Sequence, residues 1–500
     1  MVGVDITESL PTNQSQETKE IPFQPDKKTK ELIKEDDANG FYKLSWLQRI
    51  GYSAGDLANN FAFAAMGSYI LIFYTDVFQL GGNPEKSASL AGTMMLIVCF
   101  IEIIFDPIVG TFVDKKNPRW GKYRSYLIFG GIPLSLMMVL CFWDQFKPSI
   151  VYAYITYIAF QIGYTVVSVP YGALNASLTR DTNEITILTS TRMVMANLGG
   201  LAVNGGLPIV VALFARKDLP IEYALFQALG SLPSFIFLPL IPSIKNKIGK
   251  KLMFYVFITI AILGYIAIYI VSTVGVNENI IWLYIAQFVK SSGLTVATGY
   301  MWALVPEVIS YGEYTTNRRI SGIVNALTAV FLKAGMALGG AVPGWVLAWT
   351  HYKAKESEST IPKDSRAWFY TISVYAFASL LLYIFCFTQT KERVVMKQNE
   401  TQNVKISDLW KEFFRNRPLR VLSYFFIIAF IAMFSSNSTT AYLMDDLHLQ
   451  VKSAQEGVRW CVTVIPSILF FINMIIISRY ELTDEKIEKI NKEIEERQKV

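Results

Sequence analysis

The sequence is poor in the side chains from which most enzymes and metal proteins are built, with 2 histidines and 4 cysteines in 500 residues. His351 and His448 fall between apolar segments, in what read as outer loops. A membrane-embedded Ser-His-Asp triad or a histidine-bound metal therefore has nothing to be made from, and no enzyme activity is expected. Cys99, Cys141, Cys386 and Cys461 all lie inside apolar runs and show no CxxC spacing. They read as small core residues and not as disulfides or metal ligands. Charge is scarce as well: 17% of residues are charged against 52% apolar and 14% aromatic, too apolar for a single water-soluble domain.

What is present is a succession of long apolar runs. About twelve approach or exceed the roughly 20 residues needed to cross a bilayer. They cover 57–80, 88–113, 125–143, 150–174, 185–214, 222–244, 251–274, 280–309, 320–350, 367–388, 418–443 and 457–479. The fold class is thus an all-α polytopic membrane protein, multi-pass in the cell membrane, with the lipid bilayer as its solvent. With the amino terminus inside, the inner loops and helix ends carry about 21 Lys/Arg and the outer loops about 10, which places both termini in the cytoplasm. Those inner loops account for the net charge of +6, so nucleic acid is not expected as a partner. Residues 1–45 are polar and lack the apolar core of a signal peptide, reading as a disordered cytoplasmic tail. The last run, EKIEKINKEIEERQKV, alternates charge at i,i+4 and reads as a short solvated cytoplasmic helix.

Against this apolar background the charges of residues 99–126, CFIEIIFDPIVGTFVDKKNPRWGKYRSY, stand out. Glu102 and Asp106, four residues apart, project from one helix face about 6 Å apart. Two unpaired acids in hydrocarbon repel and are costly, so one should hold a proton or both should share a cation. The alternative is a helix end at the interface with both acids solvated. Gly110 allows close helix approach. After it comes a basic turn containing Asp114, Arg119, Lys122 and Arg124, which holds the loop on the cytoplasmic side.

Further charges mark other helices. Asp56, Asn59 and Asn60 form a polar face that should look into a cavity or a partner helix. Pro170 is a plausible kink, with Ser168 just before it. Arg192 lies deep enough to need an acid, a carbonyl or an anionic substrate, unless it snorkels to the inner interface. Glu307 and Glu313 stand at the cytoplasmic mouth. Lys333 sits in the middle of an apolar helix, where a buried ammonium would be neutral or paired, and Glu102 and Asp106 are candidates across a central cavity.

The 114–124 turn resembles the loop between helices 2 and 3 of the major facilitator superfamily. Asp106-Pro107 with RWGKYR, SVPYGALNASLTRD with Arg192, PEVISYGEY followed by Lys333, TKERVV, FFRNRPL and ELTDEKIE resemble the glycoside–pentoside–hexuronide:cation symporters, the family of the melibiose permease. The resemblance covers nearly the whole chain after residue 45. It implies two helical bundles that alternate access to a midplane site, moving a sugar or glycoside with a monovalent cation, Na+ or H+, and using no other cofactor. It implies that Glu102, Asp106 and Thr165 hold the cation. Asn60, Tyr164, Ser168, Arg192, Thr298 and Lys333 would touch the sugar. Rivals are a lipid or organic-anion carrier of the same superfamily and a non-transporting sensor or scaffold.

The chain departs from the family in composition and in order. Asn60 and Ser168 stand where the melibiose permease has acids, and Gly172 where it stacks a tryptophan. The loss of those acids leaves Arg192 and Lys333 with more positive charge, which is compatible with an acidic sugar. In the family TKERV closes helix 6 and RNRPL opens helix 7. Here both follow segments that resemble helices 8–11, so the order is 1–5, 8–11, 6–7, 12. The basic turn KNKIGKK at 245–251, similar to the family's helix 8–9 turn, agrees. The expected divisions are 1–45 (tail), 46–218 (helices 1–5), 219–366 (helices 8–11), 367–445 (helices 6–7), 446–481 (helix 12) and 482–500 (charged tail). All three new joins fall in outer loops, so every helix keeps its sense and the two halves are expected to assemble from discontinuous pieces.

Overall fold

The computed structural model describes residues 43–498 apart from 85, 116–117, 180–181, 275–279, 317–320, 354–360, 392–405 and 445–449. Most of the amino-terminal tail, the TKERVV motif from residue 392 and His448 lie outside the described residues. Every regular element among the described residues is helical. Eleven helices there are long and apolar enough to cross a membrane, and the shorter apolar stretch Ser125–Cys141 supplies a twelfth crossing.

The principal helices are α1 (Trp46–Ile72), α2 (Ser87–Lys115), α3 (Gly131–Cys141), α4 (Ile150–Leu178), α5 (Thr182–Asn204), α6 (Ile221–Phe237), α7 (Lys250–Val274), α8 (Ile280–Met301), α9 (Ser321–Trp349), α10 (Ser365–Gln389), α11 (Arg417–Met444) and α12 (Ile465–Ser478). A capping box starts α1: Gln48 N donates to Ser45 Oγ (3.3 Å) and Ser45 N to Gln48 Oε1 (3.0 Å). α4 runs through Pro170 as one helix.

Two bundles form. In one, α1 packs on α5 and α10, α4 on α2 and α3, and α10 on α3. In the other, α9 packs on α11, α7 on α8 and α12, and α8 on α6. The α10 helix, late in the chain, is therefore embedded among helices from the first 215 residues. Tyr383 on α10 donates to Asn59 Oδ1 at 2.7 Å, and Ser379 donates to the Ala58 carbonyl at 3.1 Å.

The bundles meet through α2 and α9, α1 and α11, and α5 and α6. α9 is built to face both ways, because small residues let backbones approach where no hydrophobic force drives helices together. Gly335 and Gly339 lie against α11, where an added Cβ would meet Ile427 O at 2.6 Å or Phe430 O at 3.0 Å. Gly344 lies against α2, where it would meet Ala88 O at 2.4 Å.

Contacts between the bundles gather at the outer ends. Beyond the Gly344 approach, Trp345 Nε1 donates to Thr93 Oγ1 (3.1 Å), Tyr69 and Tyr223 share a hydroxyl bond (3.1 Å), and Tyr352 donates to Asp76 Oδ2 (3.1 Å). The outer face is closed. At the inner face the carboxy-terminal helix Asp484–Gln498 is less solvated than its charge pattern suggests. Ile490 is buried, Asp484 pairs with Lys245 (3.2 Å), and Arg497 donates to Tyr314 O, docking it under the helix Leu304–Thr316. The cause is the Ile487-Ile490-Ile494 stripe, at i,i+3 and i,i+4 spacing.

Candidate functional site

The midplane holds a cavity of about 190 Å³ between the bundles, lined by Phe63, Tyr157, Phe160, Tyr164 and Phe434 together with Glu102, Gln161 and Lys333. Its aromatic walls suit the apolar face of a ring, and its few polar groups converge at one end.

That end is a five-residue polar cluster. Lys333, from α9, sends its ammonium across the bundle interface to Glu102 Oε1 (2.7 Å) and to Asp106 Oδ2. α2 and α4 both run from outside to inside, so their side chains pair rung by rung. Gln161 donates to Glu102 Oε2 (3.1 Å), and Thr165, four residues on, donates to Asp106 Oδ1 (2.9 Å). Both rungs span 59 residues, which is why the i,i+4 spacing of the acids is matched by an i,i+4 spacing of their partners. Side-chain exposure rises from 8% at Glu102 to 19% at Lys333 and 23% at Asp106, so a small solute reaches the cluster from the Asp106 side. Two hard carboxylates, a hydroxyl and an amide oxygen make a donor set suited to a small monovalent cation or a proton.

Arg192 meets an acid. It forms a two-pronged pair with Asp56, with Nη2 to Oδ1 at 3.3 Å, and its guanidinium lies over the Tyr171 and Tyr52 rings at 4.9 and 5.4 Å. Tyr171 also donates to Asp56 Oδ2 (3.0 Å). The excess of positive charge expected from Asn60 and Ser168 is therefore absent: both bases have acidic partners.

The other expected sugar contacts divide. Tyr164 and Lys333 line the cavity, whereas Asn60, Ser168, Arg192 and Thr298 are not part of its lining. Asn60 donates to Asp56 O (2.9 Å) and Thr298 to Leu294 O (2.8 Å), each on its own helix. Gly172 faces open space, with nothing within 4 Å of an added Cβ.

The expected loop residues serve the inner ends of single bundles. Arg124 donates to Thr390 O (2.7 Å) and lies over the Phe387 ring (4.1 Å), tying the turn to α10. Lys122 lies over the Tyr123 ring at 5.3 Å, and Arg119 is exposed. Glu307 accepts from Lys250 (2.8 Å) and Tyr480 (3.1 Å) within the second bundle. Burial and the Glu307 carboxylate push the Tyr480 phenol well above its ordinary range. Glu313 is half-buried at the same end, and the Asp114 side chain lies outside the described residues.

Two participants were not singled out from the sequence as site residues. Gln161 carried a signal, since it precedes Thr165 by one turn on the same face. Asp56 was visible only as part of a polar face; nothing local points it at Arg192, 136 residues away.

A two-bundle helical fold with charged side chains meeting across a midplane cavity defines a secondary transporter of the major facilitator type. The family model described as MFS/sugar transport protein matches in three stretches, 51–222, 218–365 and 358–449, and the chain belongs to that family. It is 32% identical over 410 residues to the uncharacterized symporter YnaJ of Bacillus subtilis (strain 168), covering 63% of this chain and 86% of that one. Over 405 residues it is 28% identical to a glucuronide carrier protein homolog of Escherichia coli (strain K12), with 63% and 86% covered. Over 408 residues it is 25% identical to an isoprimeverose transporter of Lactiplantibacillus pentosus, with 63% and 83% covered.

Proposed function

We propose that this carrier is a symporter of one monovalent cation, Na+ or H+, with one uncharged sugar or glycoside. The observation that supports it most is the Lys333 ammonium between Glu102 and Asp106. A protonated amine is a tethered monovalent cation, so the pair already accommodates one positive charge. The entering cation takes the carboxylates with help from Thr165. Lys333 is then released into the cavity, where it is free to donate to a sugar hydroxyl while the ring lies against the aromatic wall. Cation and sugar thus favour each other's binding.

The charge count supports an uncharged sugar. Asp56, Glu102 and Asp106 set against Arg192 and Lys333 leave one net negative charge, which one cation neutralises and an acidic sugar would restore. On this reading α10 and α11 occupy the places of family helices 6 and 7, α6–α9 those of helices 8–11, and α12 that of helix 12. The names of the carriers it resembles, one for glucuronide and one for isoprimeverose, agree on sugars and leave their charge open.

The test is uptake of labelled glycosides, pentosides and glucuronides into proteoliposomes under a Na+ gradient or a proton gradient. Accumulation of a neutral sugar with one gradient, lost in Glu102→Gln and Asp106→Asn that remain folded, is the expected result. Accumulation of a glucuronide alone would overturn the charge argument, and no flux of any sugar would overturn the symport reading.

A further inference from the structure

The order of the helices gives this carrier connections that its architecture does not require. Three joins cross between the bundles. The one from α10 to α11, which spans residues 390–416, is long, and its described ends lie at the inner face. The described ends of the other two lie at the outer face. One runs from the helix Gly206–Ala215 to α6, and the other from α9 to α10.

The first outer join is short. Only Arg216–Pro220, five residues, separate Ala215 from Ile221. Its ends are fixed to different bundles. Gly206–Ala215 packs on α10 in the first, while α6 packs on α8 in the second, where Tyr284 donates to Glu222 O (3.3 Å). The join is also folded back on itself. Arg216 is left-handed (φ 52°), Lys217 N donates to Ala212 O (3.1 Å) and Ile221 N to Leu219 O (2.8 Å).

The described ends of the second join are anchored as well. Tyr352 donates to Asp76 Oδ2 in the first bundle, and Lys353 O accepts from Gln450 (2.8 Å) beside the second. Lys363 also pairs with Asp76 (3.1 Å).

We infer that the Arg216–Pro220 join is a tether that resists separation of the outer ends, so that the empty carrier rests closed outside and open toward the cytoplasm. This rests on the reading of the chain as an alternating-access carrier. For solute to enter from outside, the Gly344–Ala88 approach and the Tyr69–Tyr223 bond must part, and α6 must move away from Gly206–Ala215. Fully extended, the six virtual bonds from Ala215 to Ile221 span about 20 Å. A flexible five-residue join relaxes to only about 12 Å, and a fifteen-residue one to about 21 Å. Outer opening must therefore unwind the turn and draw on a reach of at most about 20 Å, whereas ten added residues would let a span of that size be reached relaxed. The chain order implied for the family puts its single crossing between bundles at the inner face, where no such restraint acts on the outer one.

Cys99 is a built-in reporter. Cys99 lines the cavity, keeps 6% of its surface exposed and donates from its thiol to Lys333 O (3.1 Å), whereas Cys141, Cys386 and Cys461 have 0% exposure and do not line it. The experiment labels full-length protein in right-side-out vesicles with a membrane-impermeant methanethiosulfonate, using Cys99→Ser as the blank. Two variants are compared with the native chain: a ten-residue Gly/Ser insertion between Lys217 and Asp218, and a chain with residues 366–449 moved to that point. A rise in the outer labelling rate of about threefold or more in the insertion variant is expected from the shifted population. The moved-block variant should match it. An unchanged outer rate in the folded insertion variant overturns the tether even if the moved-block chain fails to fold. Because labelling needs no sugar, it reads the tether whether or not flux is found; absent flux bears on the symport reading alone.

Discussion

Removing the Lys333 charge tests the central idea that an internal cation holds the place of the transported one. In Lys333→Gln the side chain keeps hydrogen-bonding capacity but leaves Glu102 and Asp106 facing each other. At 2.7 Å and an effective dielectric near 20, the Lys333–Glu102 pair is worth about 6 kcal/mol of Coulomb energy before desolvation. Most of that is regained when an entering cation takes the same position, and the partial exposure of Lys333 and Asp106 screens the remainder. A net gain of about 1–3 kcal/mol is expected, tightening cation binding about 5- to 150-fold. The assay is calorimetric titration of Na+ into detergent-solubilised protein without sugar, at a fixed alkaline pH and with Li+ and K+ as comparisons. Thermal unfolding supplies a second readout. The variant should be less stable than the native chain in cation-free buffer and regain about 2.7 kcal/mol at a cation concentration of 100 times Kd. A variant that binds no cation more tightly than the native chain, and whose unfolding ignores cation, would refute the displacement of Lys333.

Other consequences follow from single contacts. Asp56→Ala strands the Arg192 guanidinium and should cost about 1–3 kcal/mol in thermal unfolding, below the roughly 3–5 kcal/mol of a fully buried pair because Arg192 is partly exposed. Asp56→Asn combined with Arg192→Gln should recover much of that loss, and strict additivity of the two single changes would argue against the pair. Gly344→Val places methyl groups where even a single added Cβ would sit 2.4 Å from Ala88 O, so it should cost about 1–3 kcal/mol and speed outer labelling of Cys99. Native-like stability with unchanged labelling would show that the outer seal lies elsewhere. Lys290 is buried in α8 under the Tyr265 ring (5.4 Å) and makes no ion pair among the described residues. Lys290→Met should raise the unfolding temperature; a fall would reveal a charge partner.

The sequence alone settled the class of the protein. Apolar runs of bilayer length, acids and bases placed within them, and basic inner loops are read directly along the chain, because hydrocarbon forces every helix to satisfy its own backbone. The spacing of Glu102 and Asp106 called for a bound proton or a shared cation, and the motif order raised the expectation that late helices pack among early ones. Partners were legible only as candidates, Glu102 and Asp106 for Lys333 among them. Whether Lys333 or a solute ion meets the two acids depends on how α9 crosses α2, and that depends on glycines whose role appears only once the helices are packed. The same limit explains Arg192: its need for an acid was legible, but Asp56 became that acid only through the packing of α1 on α5. Tertiary structure also decided that α10 lies among the early helices, because a transmembrane helix in hydrocarbon has no preferred neighbour until the shapes and polar groups of two surfaces are brought together.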